Sequence, residues 1–475
     1  MSKYFLNPTL VVVVFVLGVI ISLSLGFGFL PVIMGLVFIT LLLAVRKIYK
    51  YATLIIVFAL GSTYALSFIY FTSVDMPSEG CLVGTVVSHV NSYSADKSRF
   101  LFVNGGSRIV VESNDAQELG YGDRLKVCLT SENVKVLDPG RDKYYLSNYL
   151  SRNVISSPEI EYEKRGRGVR RSLYDFSDYL GKRFYRLWPG DRGVLARGLI
   201  LGGAQDFTED IAVALKNSGT SHLTAVSGYN IAIITVVLFN LLRLRSKKLA
   251  LVLTAVILIT FVFLTGLTPS VVRAALMGGA YLLAKLLGRP RTTLHFLMLA
   301  GLILILSNPF ILYNVGFLLS FVATYGLILA GGVTSGIVGK REGATEVVFG
   351  TLGETLVAQI FVMPILLYYF GQISIIAPLS NLLVLPIIPL AMLLEFIAIL
   401  VSFINFNVAI LVAVLIDPVL QYILFIIRLL GTTQWSVVKI ESVNLAVVAG
   451  FYLLLHSVLY FVNRFIRKDF DKIKT

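Results

Sequence analysis

The sequence predicts a mainly α-helical, polytopic membrane protein of about 12 spans, some of them broken or re-entrant, with a small OB-like β-barrel inserted near its N-terminus. Three observations predict this fold class. Of the 475 residues, 56% are hydrophobic and 14% are charged, whereas an ordinary soluble domain is about a quarter charged. The apolar residues fall in charge-free runs long enough for bilayer spans of about 20 residues. One polar stretch of short β-branched runs and turn residues interrupts them.

Residues 1–73 carry three predicted spans, at Thr9–Ser24, Leu30–Val45 and Tyr51–Phe71. The first follows one lysine and lacks a small-residue cleavage site, so we expect it to be retained rather than removed as a signal peptide. The charged connection Arg46–Lys50 follows the second span and should be cytoplasmic, because cytoplasmic loops are enriched in Lys and Arg. The N-terminus is therefore expected in the cytoplasm, and the segment after Phe71 outside the inner membrane.

Residues 74–164 predict the extracytoplasmic β domain. Turn residues at Asn104–Gly106 and Gly120–Asp123 separate the candidate strands. An OB-like barrel is the preferred fold, and a small sandwich is the alternative. The candidate strands are Cys81–His89, Phe100–Val103, Arg108–Glu112, Arg124–Leu129, Val134–Leu137 and Ile155–Tyr162.

Cys81 and Cys128 both lie in candidate strands of this domain. If the domain faces an oxidising compartment, a disulfide is expected. It would close a loop of about 46 residues and stabilise the domain by about 3 to 4 kcal/mol on chain-entropy grounds. Two buried free thiols are the alternative.

Residues 165–217 mix cations with aromatic and aliphatic side chains, and at helical spacing these give one basic and one apolar face. We predict amphipathic helices that lie at the extracytoplasmic interface of the membrane. The cations suit both anionic lipid headgroups and single-stranded nucleic acid. Considered alone, this stretch favours lipid over nucleic acid. The candidate contacts are Arg167, Arg170, Arg171, Lys182, Arg183 and Arg186.

Residues 218–463 are almost wholly apolar and carry the remaining predicted spans, and residues 464–475 form a basic tail. Basic residues cluster at alternate connections, which places the C-terminus in the cytoplasm; Arg428 and Lys439 are the exceptions. The spans are Leu223–Leu242, Leu249–Thr265, Ser270–Leu287, Leu294–Leu306, Phe317–Val333, Val347–Phe370, Pro378–Ile404, Val408–Leu430 and Leu445–Val462.

Several of these spans are interrupted by helix-breaking residues. Ser227-Gly228 lies early in one span, Thr268–Ser270 opens another, and Pro378, Pro386 and Pro389 break a third. Broken helices at membrane depth are tolerated where the freed backbone faces protein or water. The breaks therefore indicate a pore or cavity.

Polar groups crowd the start of the segment that follows Asn217. The stretch Ser218–Asn230 combines hydroxyls, His222 and an amide. A polar helix entrance of this kind favours an anion such as phosphate; helix capping with hydrogen-bonded packing is the alternative. His222 alone is more often a structural histidine.

Arg273 lies about one turn inside a span, where a charge must snorkel, pair or meet water. An ion pair and a phosphate contact are both open for it. Its candidate acidic partners are Glu354, Glu395 and Asp417.

The sequence does not indicate an enzyme. The four histidines are isolated from one another, and no cluster has metal-ligand spacing. No phosphate-binding Gly-rich loop with Lys-Ser/Thr occurs, and the surroundings of Ser227 match no nucleophile motif. We expect no catalytic residue, no metal and no cofactor.

Four segments, in this order along the chain, resemble the ComEC family of bacterial competence proteins. They are Gly219–Asn230 (GTSHLTAVSGYN), Thr265–Ala274 (TGLTPSVVRA), Val315–Leu327 (VGFLLSFVATYGL) and Pro378–Pro386 (PLSNLLVLP). Tyr121–Leu125 and Asp138–Arg152 resemble the OB-like region of that family. Many members continue into a metallo-β-lactamase-like nuclease domain; this sequence lacks its His-x-His-x-Asp-His signature, so a nuclease is expected to be a separate polypeptide or absent.

The resemblance implies a channel that passes single-stranded DNA across the cytoplasmic membrane during natural transformation. It also implies an external DNA receptor or pilus and a cytoplasmic ATP-driven translocase as partners, with membrane lipids around the spans. The alternatives are a proton-coupled secondary transporter of a small anion and a receptor domain on a passive membrane anchor. The predicted lining residues are Ser221, His222, Ser227, Asn230, Arg273, Ser380 and Asn381.

Overall fold

The computed structural model of the protein describes residues 8–25, 49–72, 79–94, 97–114, 119–130, 133–135, 139–151, 153–203, 206–224, 228, 230–231, 235, 239–240, 246–287, 293–338, 344–440 and 443–473. The span predicted at Leu30–Val45, most of the span at Leu223–Leu242, and Ser227 lie outside these ranges. The chain divides into two compact units. Unit 1 comprises Met1–Tyr174 and Gly279–Phe317, and unit 2 comprises Asp175–Gly278 and Leu318–Thr475.

The apolar part of unit 1 is built on a close helix crossing. Helices α1 (Pro8–Leu25) and α2 (Tyr49–Thr72) meet at glycines, where a methyl group on Gly18 would overlap the carbonyl oxygen of Phe58, and one on Gly61 that of Phe15. The hydroxyl of Ser62 donates to the Gly18 carbonyl at 3.2 Å. Small residues thus let the two backbones touch, as is common between helices in a membrane.

The β domain of unit 1 is one mixed sheet. Its order is β6-β7-β4-β3-β1-β5-β8 with β2 on β3, and β4–β7 is its parallel pair. The strands are β1 (Gly80–Val86), β2 (Asn91–Ser94), β3 (Lys97–Asn104), β4 (Ser107–Ser113), β5 (Arg124–Leu129), β6 (Val134–Lys135), β7 (Asn153–Ser156) and β8 (Glu159–Lys164). The described strands pair along an open path from β6 to β8, and the barrel closure expected from the sequence is not among their pairings.

Alternation of side chains gives this sheet two buried faces. Phe100 and Phe102 of β3 join a core with Leu125 and Val127 of β5. Leu101, Val110 and Val154 point the other way and pack against Tyr145 of helix α3 (Pro139–Tyr149). Helix α3 was not predicted from the sequence, because its polar start with Pro and Gly is typical of a turn.

Two details of the β domain differ from the predicted strands or extend them. The strand predicted at Ile155–Tyr162 is two strands at different places in the sheet, because Ser157 adopts a left-handed φ of 48° and reverses the chain. Cys81 and Cys128 are cross-strand neighbours in the β1–β5 pair, and a disulfide joins them.

Asp123 connects the β domain to the segment that follows it. Its carboxylate is fully buried and accepts hydrogen bonds from the backbone N–H of Gly120 and of Gly166 at 2.7 and 2.8 Å. Arg171 completes the set with an ion pair at 2.6 Å. One carboxylate therefore fixes the turn before β5 and the chain after β8.

Unit 2 is helical, and its longer helices are apolar. Leu352–Phe370 and Phe406–Gly431 are long and apolar enough to cross a bilayer, and a third span results if two short helices that meet at a bend count as one. This finding concerns the residues that the structure describes. Several shorter apolar stretches accompany them, so a span count near 12 stays a prediction.

The helices after the β domain are α4 (Val169–Leu187), α5 (Asp191–Leu201), α6 (Glu209–Asn217), α7 (Lys247–Leu264), α8 (Pro269–Leu286), α9 (Thr293–Ser307), α10 (Val315–Val338), α11 (Ala344–Phe370), α12 (Ala377–Val384), α13 (Ile388–Ile404), α14 (Phe406–Gly431) and α15 (Leu445–Ile473). Short strands β9 (Gln372–Ser374) and β10 (Val437–Lys439) form an antiparallel pair.

The apolar face of α4 lies in the core of unit 2. Phe184 and Trp188 are buried with side chains of α13 and α14, and the Trp188 indole N–H donates to the carbonyl of Ala413 at 3.1 Å. We predicted that the aromatic residues of this region would lie in the membrane interface. Helices of the same unit cover these two residues, and the interfacial position of the helices in this region stays a prediction.

Candidate functional site

Arg273 occupies a buried position between two helices of unit 2. Helix α8 starts at Pro269 after a tight turn in which Gly266 and Leu267 have φ of 82° and 59°. One turn later the Arg273 side chain is 6% exposed. Its Nη1 donates to the backbone carbonyl of Ser320 at 2.6 Å and to the hydroxyl of Thr324.

Ser320 and Thr324 are one helical turn apart, so both face α8 from the same side of α10. The Thr324 hydroxyl also donates to the Ser320 carbonyl, at 2.9 Å. Its single proton is thereby directed at that carbonyl, and its lone pairs are left for Arg273. Two neutral oxygens therefore hold the guanidinium in place.

No acidic side chain of the described residues pairs with Arg273. Asp417 instead accepts from Arg192 at 2.6 Å, Glu354 is exposed, and Glu395 makes no hydrogen bond. The Nε of Arg273 is buried without a partner as well. The structure therefore does not show the ion pair that the sequence left open, and no carboxylate of the described ranges neutralises the positive charge.

The predicted polar entrance approaches this arginine through Gly228. A Cβ on Gly228 would lie 3.3 Å from Nη2 of Arg273. Asn230, two residues on, is 4% exposed and donates its amide to the carbonyl of Leu199 at 2.8 Å. That carbonyl is in the last turn of α5, where carbonyls lack helical partners. In this structure Asn230 thus satisfies a helix end.

The start of the polar entrance is split between buried and exposed groups. Ser218 and Thr220 are fully buried, and their hydroxyls lie 2.7 Å apart. Ser221 and His222 are exposed, and Nδ1 of His222 lies 3.2 Å from the carbonyl oxygen of Gly219. Ser218 and Thr220 are therefore packed inside the protein, whereas Ser221 and His222 are accessible to a ligand.

The proline-rich span is broken as predicted. Helices α12 and α13 meet at a 47° bend. Ser380 is fully buried and donates to the carbonyl of Ile376 at 3.1 Å; Asn381 is 7% exposed, and its Oδ1 has no partner. Val384 and Ile388, which flank the bend, are 0% and 3% exposed. The bend is packed in this structure, so these two polar groups face protein.

Glu395 is fully buried in α13, and neither carboxylate oxygen has a hydrogen-bond partner. Ala391 and Ala398 share its helix face, and all three side chains are buried in unit 2. An ionised carboxylate in such surroundings is very costly unless it is paired or hydrated. Glu395 is therefore a group whose surroundings must change if it is to carry charge.

Three of the six basic candidates already have protein partners. Arg171 pairs with Asp123. The Arg170 guanidinium lies 4.4 Å from the Tyr121 ring centre. Arg183 lies 4.5 Å from the Phe403 ring centre and donates to the hydroxyl and the carbonyl of Ser402. These arginines stabilise helices and loops.

The other three basic candidates are exposed. Within the described ranges, no hydrogen bond or ion pair engages the side chains of Arg167, Lys182 and Arg186. They are the members of the set that are available to lipid or nucleic acid.

Sequence reasoning did not assign Ser320, Thr324 or Arg192 a role. A signal for the first two exists, since two hydroxyl residues four apart in an apolar helix share one face. Asp417 was a candidate partner of Arg273, but it pairs with Arg192, which lies 225 residues away in the sequence, and nothing local links the two.

Apolar helices long enough for a bilayer, together with shorter apolar helices of which one carries the buried Arg273, are consistent with a helical membrane protein. The model of the Competence protein family matches residues 199–465. The match covers more than half of the chain, and the chain belongs to this family. The resemblance to the ComEC family is thereby confirmed.

The chain is similar to ComE operon protein 3 of Bacillus subtilis (strain 168). The two are 31% identical over 242 residues, which make up 50% of this chain and 29% of the relative. The match therefore spans less than a third of that relative's length. No solved structure matches the chain.

Proposed function

We propose that this chain is a membrane channel that passes single-stranded DNA across the cytoplasmic membrane during natural transformation, and that it is not an enzyme. Membership of the Competence protein family supports a role in DNA uptake, and the matched residues 199–465 include Arg273. The observation that carries the proposal is the state of Arg273: a buried guanidinium bonded to uncharged oxygens. A cation without a neutralising acid attracts a polyanion strongly where the dielectric constant is low.

The same contacts limit how tightly Arg273 would hold a phosphate. A conduit must bind its cargo well enough to admit it and weakly enough to release it. A phosphate has to compete with the Ser320 carbonyl and the Thr324 hydroxyl for the guanidinium. This competition favours exchange of one phosphate for the next.

We extend the path to the exposed pair Ser221 and His222 and to Ser227, which precedes Gly228. Asn230, Ser380 and Asn381 are buried in the described state. They would reach a DNA strand after the bend between α12 and α13 opens, and the unpaired Oδ1 of Asn381 would then gain a donor.

The proposed arrangement has about 12 spans and both termini in the cytoplasm. The β domain, for which an OB-like fold was expected, lies outside. The alternation of basic connections supports this orientation, as does the Cys81–Cys128 disulfide, because disulfides persist in oxidising compartments. An external DNA receptor or pilus would deliver the strand, a cytoplasmic ATP-driven translocase would pull it, and a separate nuclease would remove its complement. Arg167, Lys182 and Arg186 would contact DNA or anionic lipid.

The test is charge reversal at Arg273 in a deletion strain of the source organism. Arg273→Glu should abolish transformation and the arrival of fluorescent DNA in the cytoplasm while membrane abundance stays unchanged. Arg273→Lys, which keeps the charge, should retain measurable uptake. Lys248→Glu is the control, because Lys248 is an exposed cation one helix earlier, and should behave as wild type. Normal uptake by an abundant Arg273→Glu variant would dismiss the proposal.

A second candidate function, proton-coupled transport of a small anion, is favoured by Glu395. A buried carboxyl without partners is the kind of group that carries protons in transporters, and Arg273 would bind the anion. Proteoliposomes under a pH gradient should then accumulate labelled inorganic phosphate, and Glu395→Gln should stop accumulation while Glu395→Asp preserves part of it. Wild-type vesicles that take up no phosphate under any gradient would rule this function out.

A further inference from the structure

The connections α11–α12 and α14–α15 each contribute one short strand, β9 and β10, to an antiparallel pair in unit 2. We call this strand pair the hairpin, although its strands are distant in the sequence. Strand β9 pairs with β10 so that Ser374 faces Val437 and Gln372 faces Lys439. The backbone N–H of Ile375 extends the pairing by donating to the carbonyl of Ser436 at 3.0 Å. The two cations that broke the charge alternation belong to the elements that carry this pairing, since Arg428 lies in the last turn of α14 and Lys439 in β10.

The outward side of this hairpin presents an aromatic ring and positive charge. Trp435 is 86% exposed, and Arg428 and Lys439 are exposed too. Neither cation has an ion pair or a side-chain hydrogen bond to another residue that the structure describes. An exposed ring and two exposed cations within the one chain segment Arg428–Lys439 suit single-stranded nucleic acid, because bases stack on rings and phosphates pair with cations.

The predicted polar entrance packs directly against the hairpin. A Cβ on Gly219 would lie 2.5 Å from Cβ of Ala377 and 3.3 Å from Oγ of Ser374. Asn217 donates its amide to the carbonyl of Gly431 at 3.1 Å, at the end of α14. The exposed pair Ser221 and His222 follows within a few residues. Entrance and hairpin therefore form one surface.

Polar groups without partners lie beneath that surface. The Gln359 amide N–H donates to the carbonyl of Ser374 at 2.6 Å, but Oε1 of Gln359 and Oγ of Ser374 are buried and unbonded. Buried polar atoms are nearly always satisfied in native proteins, by protein, water or ligand. Two orphans at one place indicate that water or a ligand reaches this end of unit 2.

We propose that the hairpin surface, formed by Ser221, His222, Arg428, Trp435 and Lys439, binds single-stranded DNA at the mouth of the path. One base stacks on Trp435, and the adjacent phosphates contact Arg428 and Lys439. The inference rests on the proposed function and names a binding site for its cargo. It also explains why two cations occur on a side of the membrane where topology does not require them.

A lipid headgroup region is the competing occupant, since exposed Trp residues are also common at membrane interfaces. Thr432, Thr433 and Gln434 directly precede Trp435 and are exposed, which favours an aqueous ligand. Val438 and Ile440 follow it and are exposed apolar residues, so contact with lipid is an outcome of the second experiment.

The first experiment measures binding of fluorescent oligo-dT to the full-length protein in nanodiscs. Trp435→Ala should weaken binding by roughly 5- to 150-fold, the loss expected for one stacked base, and Trp435→Phe should retain most of the affinity. The Arg428→Gln/Lys439→Gln double variant should lower the slope of log K against log salt by about 1.4, or about 0.7 per phosphate. Lys248→Gln, a cation outside the hairpin surface, should leave the slope unchanged. Wild-type affinity and slope in the hairpin variants would overturn the inference.

The second experiment separates DNA from lipid and this inference from the proposed function. Tryptophan emission that oligo-dT quenches in wild type but not in Trp435→Phe supports DNA, whereas quenching of Trp435 by brominated lipid alone overturns the inference. If Arg273→Glu abolishes uptake and the hairpin variants bind oligo-dT normally, the site fails and the proposed function stands. If the hairpin variants lose binding and Arg273→Glu imports DNA normally, the site stands and the role of Arg273 in the path fails.

Discussion

Arg192 and Asp417 form an ion pair in which Nη1 of the arginine lies 2.8 and 2.6 Å from the two carboxylate oxygens. Arg192 is at the start of α5, and Asp417 precedes Pro418 in the middle of α14. Gln421, one turn further along α14, donates to the same carboxylate. A charge inside an apolar helix is thereby neutralised, as intramembrane acids usually require.

Breaking this pair should destabilise the protein, and exchanging its charges should restore part of the loss. We expect Arg192→Asp and Asp417→Arg each to lower the melting temperature in detergent. The double variant should recover, with a coupling energy on the order of 0.5 to 3 kcal/mol. Additive losses in the double variant would contradict the pairing.

The α1–α2 crossing should not tolerate a side chain. Gly18→Leu places bulk against the carbonyl of Phe58, and overpacking of this kind costs about 1 to 3 kcal/mol. Thermal aggregation in detergent should begin at a lower temperature. Gly450→Ala in α15 is the control, because nothing lies within 4 Å of a Cβ there; equal effects of both substitutions would refute the crossing.

The β domain should lose stability at alkaline pH through Tyr145. Burial, together with the hydrogen bond that Tyr145 donates to Glu112 at 2.7 Å, raises the pKa of its phenol. The folded state therefore prefers the neutral phenol, so its stabilising contribution is complete below the ordinary value of 10.0 and is lost as the pH rises through the higher folded value.

Tyr145→Phe should be less stable at neutral pH by about 1 kcal/mol and should lose resistance to proteolysis less steeply between about pH 9 and 11 than wild type does. Tyr162→Phe is the control, since Tyr162 is 50% exposed. A wild-type pH profile in Tyr145→Phe would contradict the assignment.

Removal of the disulfide should loosen the β domain. Cys81→Ser/Cys128→Ser opens the loop between two positions that are 47 residues apart in the sequence. For a loop of this length, chain entropy predicts that the free energy of unfolding falls by about 3 to 4 kcal/mol. Limited proteolysis should then cut within Gly80–Lys164, and the electrophoretic mobility should no longer respond to reductant. Wild-type chains whose mobility is already insensitive to reductant would contradict the bond.

Much of the fold was predictable because one strong signal sets each element. Helix α14 (Phe406–Gly431) was predicted as Val408–Leu430 from a long apolar run that contains only two charged residues, Asp417 and Arg428, and β5 was predicted with its bounds of Arg124–Leu129. Where two signals compete, prediction failed. The segment Ile155–Tyr162 was predicted as one strand although Ser156, Ser157 and Pro158 reverse the chain within it. Three-residue strands such as β9 are too short for periodicity to reveal.

The candidate site was predictable residue by residue but not as a set of contacts. Arg273 was identified because a charge in an apolar run is conspicuous. Its partners Ser320 and Thr324 are 47 and 51 residues away, and tertiary packing alone brings them together. Likewise, Arg170, Arg171 and Arg183 have the composition of a nucleic-acid contact, but aromatic rings, a buried carboxylate and a helix end engage them instead.

The Ser320 carbonyl accepts from the Thr324 hydroxyl as well as from Arg273. Because that hydroxyl already donates to the Ser320 carbonyl, the carbonyl keeps a partner when the guanidinium turns away, and neither oxygen becomes a buried orphan. Departure of the arginine would therefore leave no unpaired acceptor on α10, since the Ser320 carbonyl also accepts the backbone N–H of Thr324 within the helix. A valine in place of Thr324 would instead remove one of the two oxygens that hold the guanidinium.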